Sequence, residues 1–162
     1  MHTRHFIFFL VLLISVGLLA CAKRDTPEQR VRMLIAGAEQ AAEKKDISRL
    51  RGYVSERYAD EDGRDRRTVE GVLRLYLFRN EAIHLLTRID SVTFVPPHQA
   101  QAVVYVAMAA RPITRPAELG DFNANLYRFE LGLAEEDKQW RVVHAAWRPA
   151  EPADFIYTKP TQ

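Results

Sequence analysis

The chain has 162 residues, 48% of them hydrophobic, which suits one domain with a sizeable core. Its 23 basic and 21 acidic side chains nearly balance, so nothing in the charge favours nucleic acid as a partner. Because there is only one cysteine, an internal disulfide is excluded and core packing must supply the stability.

The first residues have the pattern of an export signal. A weakly basic start precedes an apolar run from Phe6 to Leu19, which is shorter than the roughly 20 residues of a membrane-spanning helix but suits a signal peptide. The run ends in LLAC, residues 18–21, which resembles the lipobox of bacterial lipoproteins. The resemblance implies a signal peptide over residues 1–20 and lipidation of Cys21 by diacylglyceryl and N-acyl chains such as palmitate. An ordinary cleaved signal peptide and an uncleaved anchor are the alternatives.

Residues 21–26 then form a short tether. At about 3.5 Å per extended residue, this tether reaches less than about 20 Å, so we expect the domain to lie close to a membrane. Ala22 rather than Asp follows the cysteine, which by the sorting rule of enteric bacteria implies the periplasmic face of the outer membrane. We therefore predict a lipid-anchored protein of the bacterial cell envelope.

Helix signals occupy the first half of the domain. Thr26 and Gln29 form a capping box, and apolar residues keep helical spacing to about Lys45. Asp46 begins a short second helix, and a third helix is predicted over residues 66–79. The expected inner stripe of the third helix consists of Val69, Val72, Leu73 and Tyr76, widened by Leu75, Leu77 and Phe78.

From residue 82 the periodicity changes to that of strands. Four strands are predicted, over residues 83–95, 100–110, 125–134 and 139–148. The first is long for a strand, so we expect a bend or bulge within it. Helices followed by hairpin-connected strands predict an α+β fold, with N-terminal helices packed on a curved antiparallel sheet of four or more strands.

Three stretches resemble the nuclear transport factor 2-like superfamily, which includes SnoaL-like polyketide cyclases and ketosteroid isomerases: RYADEDGRDRRTVEGVLRLYL, AIHLLTRIDSVTFV and WRVVHAAWRP. The resemblance covers residues 27–149 and leaves residues 150–162 as a C-terminal tail. It implies a cone-like fold in which a curved sheet wraps around helices. Isomerases of the superfamily use a carboxylate base and an oxyanion donor inside the cone, and no residue here can be matched to that pattern. We therefore assign no catalytic residue.

The charged stretch YADEDGRDRR, residues 58–67, raises the question of a calcium loop. With Gly63 at the sixth position of the EF-hand template, Tyr58 occupies the first position and Val69 the twelfth, so two essential oxygen ligands are missing. The stretch is better interpreted as a turn at Gly63, followed by Asp65 as the N-cap of the third helix. We expect no metal and no cofactor.

Four polar side chains are candidates for the interior of the cone. Tyr58 lies where the second helix gives way. His84, on the first strand, could act as a general base or hydrogen-bond its neighbours in the sheet. Arg128 and Glu130 share one face of the third strand, where they could orient an anionic or hydroxylated ligand or form a solvated pair.

The second strand is apolar on both faces, so both faces of the sheet should be covered there. Helices can cover one face; a second copy of the chain in a homodimer or the folded-back tail can cover the other. The long loop over residues 111–124 is expected to border the mouth of the cone.

These observations predict a membrane-anchored envelope lipoprotein that binds a small apolar ligand or an envelope protein without catalysis. A cofactor-independent lyase or isomerase acting in the cone is the alternative. Converging polar groups in an apolar pocket would favour the enzyme, whereas a cone filled by Phe, Leu and Trp side chains would favour binding.

Overall fold

The computed structural model describes residues 25–113, 115–121 and 124–156. The predicted signal peptide, Cys21 and the end of the tail lie outside these residues. Helices α1 (Pro27–Glu43), α2 (Ile47–Gly52) and α3 (Arg66–Arg79) come first, and strands β1 (His84–Val95), β2 (Gln99–Ala109), β3 (Asn125–Glu136) and β4 (Gln139–Pro149) follow. A 3-10 helix (Pro116–Asp121) precedes β3, and a short helix α4 (Pro152–Ile156) ends the described chain.

The helices begin where their capping residues predicted. The Thr26 side chain accepts a hydrogen bond from Gln29 N, and the Gln29 side chain accepts one from Thr26 N, which confirms the capping box. Asp46 and Asp65 each accept from the backbone N–H three residues further on. Within the described part of the chain, no helix is long and apolar enough to cross a membrane.

The four strands form one antiparallel sheet in the order β1-β2-β3-β4. The register of β1 shifts between Ile89 and Ser91, which confirms the predicted irregularity in this long strand. Helices followed by a four-stranded antiparallel sheet confirm the predicted α+β fold class.

One face of the sheet, here called the helix face, packs against α1 and carries the main core. Side chains at alternate positions of β2 and β3 point to this face, because successive residues of a strand point to opposite sides. The core cluster consists of Val31, Leu34, Ile35, Ala100, Ala102, Val104, Leu133 and Trp140. Trp and Leu side chains from the sheet therefore fill the space beneath α1.

The opposite face of the sheet, here called the outer face, is covered by the chain itself around Ala107. Ala107 is buried there together with Ile113 and Leu119 from the long loop and Phe155 from α4. The ring of Phe155 meets the ring of Tyr105 edge to face, with 5.8 Å between the ring centroids. The prediction that the loop borders the cone mouth is wrong, because its apolar residues pack on the outer face instead.

Helix α3 differs from its predicted orientation. Leu77 is its only side chain classed as fully buried, whereas Val72, Leu75 and Phe78 are exposed. The predicted inner stripe was therefore too wide: apolar residues occur on both sides of this helix, and local spacing alone does not determine which side faces the core.

Candidate functional site

A row of aromatic rings lies on the helix face where β3 begins and β4 ends. The alternation of β3 places Tyr127 and Phe129 on this face, and the register of the sheet sets Trp147 of β4 directly opposite Phe129. The ring centroids of Tyr127 and Phe129 are 6.2 Å apart, and those of Phe129 and Trp147 are 6.1 Å apart. We call these three residues the aromatic strip.

The aromatic strip is partly open to solvent. Tyr127 and Phe129 are half-buried, and Trp147 retains 37% of its surface exposed. At one end of the strip, the Arg64 guanidinium carbon lies 4.3 Å from the Trp147 ring centroid, which is the geometry of a cation–π contact. At the other end, Tyr76 of α3 hydrogen-bonds the Asn125 side chain.

A buried carboxylate holds Arg64 in this position. Asp60, whose side chain is 1% exposed, accepts hydrogen bonds from Arg64 Nε (2.8 Å), Arg64 N (2.9 Å), Asp62 N (3.1 Å) and Tyr58 Oη (3.1 Å). Gly63, at φ 73°, makes the turn that brings these groups together, in the left-handed region that favours glycine. The charged stretch is thus a turn with an internal ion pair.

The electrostatics follow from these contacts. Burial disfavours the ionised form of Asp60, but the hydrogen bonds from Arg64 and Tyr58 outweigh it and lower the pKa of Asp60 to about 2. Burial, with the neighbouring Asp60, raises the pKa of Tyr58 well above its usual range. At neutral pH, Asp60 is therefore an anion and Tyr58 is protonated.

Of the four polar side chains predicted for the cone interior, only Tyr58 lies beside the aromatic strip. The register places His84, Arg128 and Glu130 on the outer face. Arg128 and Glu130 form a salt bridge there, and Arg128 also hydrogen-bonds Tyr105. These three residues therefore do not line a space between the sheet and the helices.

A small cavity lies elsewhere, between α2 and α3. The space in it that a water molecule could occupy is about 10 Å³, room for about one water molecule and far below the roughly 300–1,000 Å³ typical of small-molecule sites. Its lining consists of Ile47, Leu50, Arg51, Val54, Arg66, Glu70 and Leu73. None of the strip residues contributes to this cavity.

Sequence reasoning missed Phe129, Trp147 and Arg64 as parts of one site. The alternation of YRF in β3 indicated that Tyr127 and Phe129 share a face. Their meeting with Trp147 depends on the β3–β4 register, which contains a shift between Gly132 and Leu133. Arg64 is brought to the ring by the turn at residues 60–64.

Comparison with known proteins identifies the fold. No protein-family model matches the chain, and no curated protein sequence matches it significantly. Solved structures that resemble it include a putative scytalone dehydratase from Novosphingobium aromaticivorans (11% identity, TM-score 0.63, covering 76% of this chain and 84% of that one). A second is an NTF-2 like protein of unknown function from Shewanella oneidensis (13% identity, TM-score 0.56, covering 75% of this chain and 98% of that one).

A third similar structure is Bd1075 from Bdellovibrio bacteriovorus, at 10% identity and a TM-score of 0.58. The match covers 76% of this chain but only 40% of Bd1075, so this chain spans less than half the length of Bd1075. The fold is therefore nuclear transport factor 2-like, as the sequence resemblance predicted. Identities this low define the fold and leave function to be argued from the site.

Proposed function

We propose that this protein is a lipid-anchored binding protein of the cell envelope whose aromatic strip binds a small apolar ligand without catalysis. The observation that carries this proposal is the partly exposed row of Tyr127, Phe129 and Trp147, with Arg64 seated on its end. Aromatic faces in such a row offer a flat apolar surface, and the cation can orient a ligand that has one polar end.

The state of Asp60 supports binding over catalysis. A general base at neutral pH works best with a pKa near the working pH. Asp60 instead has a pKa of about 2, and its oxygens already accept four hydrogen bonds from Tyr58, Asp62 and Arg64. A carboxylate so stabilised as an anion has little tendency to take up a proton from a substrate.

The filled interior supports the same proposal. Leu133 and Trp140 occupy the space beneath α1, where a cone-type active site would require an opening. The aromatic strip lies outside this filled region and keeps part of its surface in solvent. A ligand would therefore lie along the strip rather than inside a closed cavity.

A lyase or isomerase acting without a cofactor is the second candidate. One observation favours it: Tyr58 Oη lies 3.1 Å from Asp60 Oδ2, next to the aromatic strip, in a fold shared with a putative scytalone dehydratase. The substitution Asp60→Asn separates the two functions. Binding with no turnover in either protein supports the binding role, whereas turnover that disappears in the variant supports the enzyme.

The lipid anchor is proposed from the LLAC sequence alone. Stable anchoring by acyl chains requires more than one chain, which fits the diacylglyceryl and N-acyl groups of a lipobox cysteine. Metabolic labelling with an alkyne fatty acid tests it: the wild-type protein should be labelled and Cys21→Ser should not. An unlabelled wild-type protein in a host that labels other lipoproteins would refute lipidation at Cys21.

Native mass spectrometry of the full chain, purified in mild detergent, tests the ligand. We expect a co-purified small molecule that is lost from Trp147→Ala, with affinity reduced about tenfold or more, the equivalent of one removed aromatic contact. Phe94→Ala is the matched control, because Phe94 is 36% exposed and packs against Trp140 away from the strip. Equal binding in both variants, or no bound molecule in the wild type, would contradict the proposal.

A further inference from the structure

Helix α3 presents a solvent-exposed face that the core does not use. Its eight exposed residues are Arg67, Thr68, Gly71, Val72, Arg74, Leu75, Phe78 and Arg79. At about 100° per residue, these eight positions fall within an arc of roughly 160° on one side of the helix. We call this set the α3 outer surface.

The apolar part of the α3 outer surface is unusually exposed. Phe78 is 71% exposed, Leu75 54% and Val72 46%. Single apolar residues scattered over a protein surface need no explanation, but three that follow one another at a spacing of three residues form a continuous stripe. The stripe therefore suits a contact with an apolar surface.

The charge of the α3 outer surface is entirely positive. It contains Arg67, Arg74 and Arg79 and no acidic residue. The one carboxylate of the helix, Glu70, is half-buried and forms ion pairs with Arg74 and with Arg51 of α2. A helix side that combines arginines with exposed Phe, Leu and Val is typical of helices that lie in the interface of an anionic membrane.

We propose that the α3 outer surface binds the headgroup region of an anionic lipid bilayer, with Val72, Leu75 and Phe78 entering the acyl boundary. The helix lies along the membrane and does not cross it. This inference rests on the proposed lipid anchor, which would place the domain next to a bilayer. The α3 outer surface would then be a second contact with that bilayer and would orient the domain. An acyl anchor combined with a basic surface is the two-signal arrangement that holds a protein stably at a membrane.

Site-specific fluorescence on the full chain tests the contact. In a Cys21→Ser background, a polarity-sensitive NBD label is attached at Gly71→Cys on the α3 outer surface, where an added Cβ has nothing within 4 Å. A second protein carries the label at Met33→Cys on α1, which is 51% exposed. Both proteins are reconstituted into vesicles of phosphatidylcholine, with or without 30% phosphatidylglycerol.

We expect the label at position 71 to shift to the blue and to be quenched by brominated lipids, mainly in the anionic vesicles. The label at position 33 should respond to neither. The variant Arg67→Gln/Arg79→Gln should weaken the response about tenfold or more, since each basic residue near an anionic surface contributes roughly a fivefold factor. The control Lys44→Gln/Lys138→Gln removes the same charge from exposed sites elsewhere and should leave the response unchanged.

Three results would overturn the proposal. Equal signals from the label at position 71 in both kinds of vesicle would exclude an anionic surface as the partner. Energy transfer between labelled copies, independent of lipid composition, would show that a second copy of the chain covers the α3 outer surface. A blue-shifted label at position 71 before vesicles are added would show that the chain covers its own surface. Because the readout is local to position 71 and the cysteine at position 21 is absent, none of these results depends on acylation.

Discussion

Two helical glycines provide a direct test of how α1 packs. Gly37 is buried in α1, and a Cβ built there would overlap Tyr53 Oη and lie 3.0 Å from Tyr53 Cζ. Gly71 is exposed in α3, and a Cβ built there meets nothing within 4 Å. The same substitution, Gly to Ala, therefore encounters opposite surroundings in two helix interiors.

The expected magnitudes follow from this difference. Alanine stabilises a helix interior over glycine by about 0.5–1 kcal/mol, so Gly71→Ala should raise the free energy of unfolding by that amount. Gly37→Ala gains the same term but also overpacks the contact with Tyr53, which costs about 1–3 kcal/mol. The net effect of Gly37→Ala should be a decrease of about 0–2.5 kcal/mol in the free energy of unfolding, smaller if the Tyr53 ring can move aside.

Urea unfolding and thermal melts of the three proteins measure these changes. For a chain of this length, 1 kcal/mol corresponds to roughly 2–4 °C in Tm. Tyr53→Leu replaces the phenol ring and its hydroxyl with a shorter aliphatic side chain, so Gly37→Ala should be better tolerated in that background than in the wild type. If Gly37→Ala is as stabilising as Gly71→Ala, the close approach of Tyr53 to α1 does not exist in solution.

Three further changes probe the site, the core and the tail. Asp60→Asn should flatten the dependence of the free energy of unfolding on pH in acid. The folded-state pKa of Asp60 is lowered to about 2 from 3.8, so its contribution to stability is complete above pH 3.8 and disappears as the pH falls through 2. Urea titrations at pH 4.5, 3 and 2 measure this change. Leu133→Ala, at a side chain 1% exposed, should cost about 2–5 kcal/mol by calorimetry, and an effect below 1 kcal/mol would contradict the packing described beneath α1. Phe155→Ala should release α4 from the outer face and make residues 150–156 a site of limited proteolysis. Light scattering on the chain with and without residues 150–162 tests the sheet-face homodimer, which is excluded if both proteins are monomers.

Local features of the sequence predicted the element boundaries well. The starts of α1 and α3 depend on Thr26 and Asp65, whose side chains bond to backbone N–H groups three residues away. Such contacts are complete within one helical turn, so the sequence contains all the information needed to place them. The positions of the strands could be predicted equally well, because the alternation of apolar and polar residues along a strand such as β3 is a property of neighbouring residues.

The face of the sheet or helix on which a residue lies, and so whether it meets the core, could not be predicted in the same way. Alternation showed that His84 shares a face with Leu86 and Arg88, but which face meets α1 depends on packing between distant segments. In α3, apolar residues lie on both sides of the helix, so the sequence alone leaves the buried side ambiguous. The fold determines it, because Leu77 packs in one cluster with residues of α1 and β1. The aromatic strip needs both the β3–β4 register and the turn at Asp60, so it combines three separate parts of the chain.

The charged stretch at residues 58–67 acts on the site through one side chain. An exposed arginine normally loses side-chain entropy when it stacks on a ring, and water competes for its donors. Here Asp60 fixes the Arg64 guanidinium through Nε at 2.8 Å and is itself fixed by Tyr58, so the cation is held over Trp147 before any ligand arrives. The low pKa that makes Asp60 a poor base is the same property that makes it a constant counterion for Arg64 across physiological pH. A carboxylate arranged in this way prepares a binding surface, and a carboxylate arranged for proton transfer would need to give up those hydrogen bonds.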